Sequence, residues 1–153
     1  MISHPAILAV HFDDFAGLPL VSAGAAAVRR AVLDLLAAFE ADGVEIDSRR
    51  LSEALALAGH GDMLAAMERQ LRDNRIWQAL PDAGFEDSLD GWRQAHHLHL
   101  NAHTLNRELK AAEGALAAEE SEANFNRLVE IRNEIDRVET VEALIEGFGA
   151  SSG

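Results

Sequence analysis

The sequence predicts an all-α protein: a small multi-helix lobe followed by a long helix and a C-terminal antiparallel helical hairpin. Three observations carry that expectation. Alanine and leucine are abundant, prolines number only three, and no run of alternating β-branched residues appears. Apolar residues recur at three- and four-residue steps rather than at every second position. Residues that cap helices stand before several of these runs, and glycines stand after them.

Pro5 suits the first turn of a helix through "AILAVHFDDF", where its missing N–H costs nothing. "GLPL" breaks the chain, and Ser22 is placed to cap "AGAAAVRRAVLDLLAAFEADG". There Val28, Val32, Leu35, Leu36 and Phe39 repeat at helical spacing, and Gly43 ends the run. Asp47 opens "SRRLSEALALAG", closed by Gly59, and Asp62 is expected to cap "MLAAMERQLRDN". "IWQALPDAG" reads as a turn or broken helix. Short pieces with short connectors make residues 1–84 a helical lobe. Residues 85–153 differ. From Phe85 to about Glu120 there is no proline, enough for a helix of about 50 Å. "EESEAN" supplies Ser121 as turn and cap, and a second helix follows through "FNRLVEIRNEIDRVETVEALIEGF", expected to end at Gly147 or Gly149.

The 153 residues carry 13 basic and 26 acidic side chains, a formal net charge of −13. Residues up to 85 hold 7 Lys and Arg against 12 Asp and Glu, and the remainder 6 against 14, so neither half offers the basic face that nucleic-acid binding needs. Cysteine is absent, which removes disulfides, zinc ribbons and thiol chemistry. No signal peptide or apolar run of membrane length is visible, so the cytoplasm is the expected location.

Two stripes run along the long helix. Phe85, Leu89 and Trp92 step by four and three, and the same steps continue to His96, His99 and His103. A second set, Leu98, Ala102, Leu105, Leu109, Ala112 and Leu116, lies about 130° around the helix from the first. The first stripe is expected to pack on the lobe, and the second on Leu128, Ile131, Ile135 and Val138 of the last helix. "WRQAHHLHLNAH" therefore lies where one stripe hands over to the other. Imidazole spacing of this kind suits zinc, copper or nickel. However, His96 and His103 stand two turns apart, about 10 Å along the axis, so one ion cannot easily reach all three histidines. The histidines are instead expected to be structural, with His96 most covered and His103 least, and with a modest effect between about pH 5 and 8.

No phosphate-binding glycine loop, nucleophile elbow or zincin motif is present, and no catalytic residue, metal or cofactor is assigned. The acidic pairs Asp13–Asp14, Glu86–Asp87 and Glu119–Glu120 read as solvated helix-end charges. Arg29–Arg30 and Arg49–Arg50 could meet an acidic peptide, but read first as exposed helix arginines. Val141, Leu144, Ile145 and Phe148 form an apolar cluster offset from the Leu128–Val138 stripe. It either folds back on the lobe or forms a docking end for a partner.

"HPAILAVHFDDFAGLPLVSAGAAAVRRAVLDLL" resembles the segment that opens the C-terminal domain of bacterial replicative DNA primase (the DnaG type), with its His-Pro step and "RRAVL"-like helix. "FEDSLDGWRQAHHLHLNAHTLNRELKAAEGAL" and "SEANFNRLVEIRNEIDRVE" resemble that domain's long connecting helix and terminal hairpin. The resemblance covers nearly the whole chain and rests on the order of packing patterns. It implies a non-catalytic module that binds the N-terminal domain of the replicative helicase and brings primer synthesis to the fork. The expected contact is Ile135, Val138, Leu144, Ile145 and Phe148. The primase's zinc-ribbon and polymerase domains would lie upstream. Only "MIS" precedes His4–Pro5 where the family has a further apolar helix. The lobe is therefore expected to expose apolar groups and to dimerise or be partly disordered. The family's pocket for the tail of single-strand-binding protein draws on that helix and is not carried over. Two alternatives remain. The N-terminal domain of the helicase itself has a similar lobe-plus-hairpin design, but would continue into a linker and an ATPase. A histidine-rich metal-binding helical protein is the other.

Overall fold

The structure is a computed structural model that describes the backbone of residues 1–150 and the side chains of residues 1–138. The described residues contain helices and connecting turns and no strand, so the fold is all-α. The chain divides into two units, Met1–His96 and His97–Gly153. The division falls about three turns inside the long helix, whereas the sequence boundary at 84/85 marks where that helix starts.

In the first unit Pro5 begins α1 (Pro5–Val10), as its fixed φ and missing N–H favour. The single helix expected through "AILAVHFDDF" is instead two. His11 leaves helical geometry (φ −115°, ψ 35°), and α2 (Phe12–Ala16) starts after it. At the break His11 N donates to the Ile7 carbonyl at 2.9 Å, and the His11 carbonyl accepts from Phe15 N at 3.0 Å. The His11 ring turns to Asp14, its Nδ1 lying 2.9 Å from the carboxylate. A local side-chain bond of this kind competes with continuation of the helix.

Ser22 caps α3 (Ala23–Ala41), accepting from Ala25 N at 3.3 Å. The chain leaves α3 through Gly43, which adopts a left-handed φ of 63°. Asp47 caps α4 (Ser48–Leu55), accepting from Arg50 N at 2.8 Å. A π-turn over Ala56–His60 follows, with Gly59 at φ 92°. Asp62 does not cap the next helix, α5 (Gly61–Asp73). It sits one residue inside, in the first turn, where its charge faces the positive end of the helix. The N-cap residue of α5 is His60, whose side chain makes no capping bond. Near the end of α5, Arg72 donates to the Glu68 carboxylate at 2.8 Å, and that bond raises the guanidinium above its usual pKa. A 3₁₀ turn, Trp77–Ala79, leads to the long helix.

The core of this unit joins Leu8, Phe15, Val28, Val32, Leu51 and Leu55. Val28–Val32 and Leu51–Leu55 each present one face at i, i+4. Ile7, Leu8, Val32, Leu51 and Leu55 are fully buried, each stabilising the fold by about 1.5–3 kcal/mol relative to exposure. Met1, Ile2, Leu18, Leu64 and Trp92 pack around this cluster. The arginines are not all simply exposed. Arg29 is half-buried and donates to the Leu18 carbonyl, and Arg50 donates to the Glu45 carbonyl.

The long helix α6 (Phe85–Ala118) begins anchored to this unit. Ser88, buried, donates through Oγ to the Gln78 carbonyl at 2.7 Å, and Leu89 is buried beside it. His4 Nε2 donates to the Leu80 carbonyl at 2.9 Å, tying the first residues to the segment that feeds α6. In the second unit α6 continues to Ala118, and α7 (Glu122–Ala150) follows. Ser121 Oγ accepts from Asn124 N at 3.2 Å, capping α7 as expected. Helical backbone continues through Gly147 and Gly149 to Ala150, so neither glycine ends it. Ala112, Leu128 and Ile131 are buried together, with Leu109, Leu116 and Ile135 packed against them. Arg127–Glu108 (3.2 Å) and Arg132–Glu113 (3.4 Å) bridge the two helices along the edge of this seam.

Candidate interaction surfaces

The histidine stripe begins at Trp92, which packs against the lobe core. Trp92 stacks on His96, with ring centroids 5.2 Å apart and planes 18° from parallel. His11 faces Trp92 on the lobe side at 6.5 Å and 54°. His11 Nδ1 pairs with the Asp14 carboxylate at 2.9 Å. The other ring nitrogen, Nε2, and the Trp92 indole nitrogen are both buried without a hydrogen-bond partner among the described residues. A histidine–carboxylate pair can activate a nucleophile, but here the imidazole's other nitrogen is sealed inside the lobe, out of reach of a substrate.

The expected gradient of histidine burial is not found. His96 is half-buried and His97 and His99 are exposed, but His103 is half-buried again. Coverage returns where the second stripe takes over, with Leu98, Ala102 and Leu105 all half-buried. Among the described residues no group of three or more His, Cys, Asp or Glu side chains is placed to hold a metal ion.

Of the five residues expected to bind a partner, two are described. Ile135 is half-buried and packs against the Ala112–Leu128–Ile131 cluster, so it belongs to the seam that holds the hairpin together. Val138, one turn on, is half-buried. Leu144, Ile145 and Phe148, with Val141 beside them, lie outside the described side chains.

A surface that sequence reasoning missed lies at the hairpin turn. There an open groove of about 610 Å³ has Leu116, Ala117, Phe125 and Leu128 as its apolar lining and Glu120 and Glu122 among its polar residues. Leu128 is buried in the seam, but Phe125 remains 56% exposed. A signal was present in the sequence: Phe125 falls outside the Leu128–Ile131–Ile135 seam, in a stretch without Lys or Arg between Lys110 and Arg127. In the lobe, Val21 (93%) and Leu57 (91%) are almost fully exposed, and Trp77 about half. Among the described residues no helix is long and apolar enough to cross a membrane. Comparison with protein-family models, with curated proteins and with solved structures gives no match.

Proposed function

We propose that this chain is a non-catalytic recruitment module: the C-terminal domain of a bacterial replicative DNA primase, which binds the N-terminal domain of the replicative helicase. The observation that carries the reading is the order of elements. A helical lobe opening on His4–Pro5 feeds one 34-residue helix that passes into a second unit, where it pairs with α7. That order runs parallel to the resemblance in "HPAILAVHFDDF", "RRAVL" and "GWRQAHHLHLNAHTLNRELKAAEGAL". The acidic balance of the chain suits a protein partner better than a phosphate backbone. On this reading the chain works in the cytoplasm without a cofactor, and its parent enzyme supplies the polymerase chemistry.

The test is a binding measurement between the whole chain and the N-terminal domain of a bacterial replicative helicase, by pull-down and calorimetry. Ile135 is a poor probe because it packs in the seam, and its loss would disturb the hairpin itself. Ile145→Asp combined with Phe148→Asp is the informative variant. Binding by the parent chain and its loss in the variant, with helicity retained, supports the reading. Undiminished binding by the variant moves the contact to another surface. Failure of the parent chain to bind helicase domains from several bacteria overturns the reading.

A further inference from the structure

The groove at the hairpin turn combines two features that a hairpin does not need for its own stability. The first is Phe125, whose ring stays mostly in water although the seam beside it is well packed. The second is the charge at the end of α6. The C-terminal end of a helix carries partial negative charge and is stabilised by cations. Here the last turn of α6 has no basic residue, and Glu119 and Glu120 follow it directly. The carbonyls at this end are instead met by the neutral amide of Asn124, which donates to Ala115 O at 3.3 Å and Glu119 O at 2.9 Å. Among the described residues Glu120 and Glu122 form no ion pair, whereas Glu113 is paired with Arg132. An apolar floor is thus bordered by uncompensated negative charge.

We propose that this groove docks a basic amphipathic segment of a partner protein, with an aliphatic anchor on Phe125 and lysine or arginine on Glu120 and Glu122. Charge complementarity selects this occupant. A second copy of the chain would bring a net charge of −13 against the same acidic border. The inference is independent of helicase recruitment: Phe125 lies about 35 Å along α7 from Phe148 at 1.5 Å per residue, so each surface can be disabled without the other.

The experiment titrates the whole chain into a fluorescent fourteen-residue amphipathic peptide of leucine and lysine, following anisotropy and amide chemical shifts. A leucine–glutamate peptide of the same pattern is the control. Saturable one-to-one binding is expected, with shift changes centred on residues 116–128. Phe125→Ala, and separately Glu120→Lys with Glu122→Lys, should each weaken binding by about tenfold, the size expected for loss of a buried anchor or its charge partners. Ala117→Arg, which blocks the floor at an exposed helical position, should do the same, so the result does not hang on one variant. Asp34→Lys with Glu40→Lys makes the same change in net charge on exposed α3 positions and should leave binding within about twofold, because distant exposed charges are screened. Equal weakening by the two charge pairs, equal binding of the acidic peptide, or shift changes away from the turn would each overturn the proposal. A concentration-dependent mass in sedimentation that Phe125→Ala abolishes would overturn it too, by showing the groove covered by a second copy.

Discussion

Two glycines of α6 should respond in opposite directions to the same substitution. At Gly114 an added Cβ meets nothing within 4 Å, and the backbone is helical, so alanine removes only unfolded-state freedom. The expected gain is about 0.5–1 kcal/mol. At Gly91 the same methyl would lie 2.9 Å from Gln78 Cβ and 3.4 Å from Gln78 Cγ. Carbon pairs settle at about 3.5–4.0 Å, so Gln78 must retreat by about 0.6 Å or more. It cannot do so cheaply, because the contact is at Cβ, next to the backbone. The Gln78 carbonyl is also held by Ser88 at 2.7 Å. Overpacking of this kind costs about 1–3 kcal/mol, against about 1 kcal/mol of helix propensity regained, which leaves a net loss of up to about 2 kcal/mol. The assay is urea denaturation followed by helical circular dichroism and by tryptophan fluorescence. Both tryptophans, Trp77 and Trp92, belong to the first unit, so fluorescence reads the lobe alone. Gly91→Ala should lower the fluorescence midpoint, and Gly114→Ala should raise the dichroism midpoint. If Gly91→Ala proves as stabilising as Gly114→Ala, the tight seat of α6 on the 3₁₀ turn is wrong.

The other predictions concern the core, a cap, an ion pair and metal. Leu55→Ala, at a fully buried position of the lobe core, should cost about 2–5 kcal/mol, read from the same urea titration. Asp47→Ala removes the acceptor of Arg50 N and should cost about 1 kcal/mol, while Asp47→Asn should recover most of it. Arg127→Ala breaks an exposed bridge to Glu108 and should cost less than about 1 kcal/mol, and less still in high salt. Equimolar zinc should leave the melting temperature of the chain unchanged, since the histidine stripe presents no three-ligand set among the described residues. A rise of several degrees would restore metal binding as a reading.

Local physics accounts for what was legible in the sequence. Ser22, Asp47 and Ser121 cap helices through bonds to amides three residues on, so each cap is written within a few residues. The seam of Leu109, Ala112 and Leu116 on Leu128, Ile131 and Ile135 followed from periodicity, because a regular apolar step has to bury its face somewhere. The break at His11 was hidden because both halves keep helical spacing across it. Arg29 read as an exposed arginine because its partner, the Leu18 carbonyl, is reached only through the turn between α2 and α3. His103 is half-buried in the stretch where Leu98, Ala102 and Leu105 of the second stripe are half-buried too, so a gradient drawn along one stripe missed it. Phe125 was overlooked for the opposite reason, since an apolar residue outside a seam gives no periodic signal.

The bond from His4 to the Leu80 carbonyl, together with Met1, Ile2 and Trp92 around one cluster, has a consequence for the order of folding. The hairpin joins residues separated by short stretches, such as Ala112 and Leu128, and can form as soon as its turn is made. The lobe must close a loop of most of its own length before its earliest residues find their last partners, Leu80 and Trp92. During synthesis those residues wait until the start of α6 has left the ribosome. The opening residues of the lobe are therefore completed late, and their apolar positions are open to chaperones for longer than those of the hairpin.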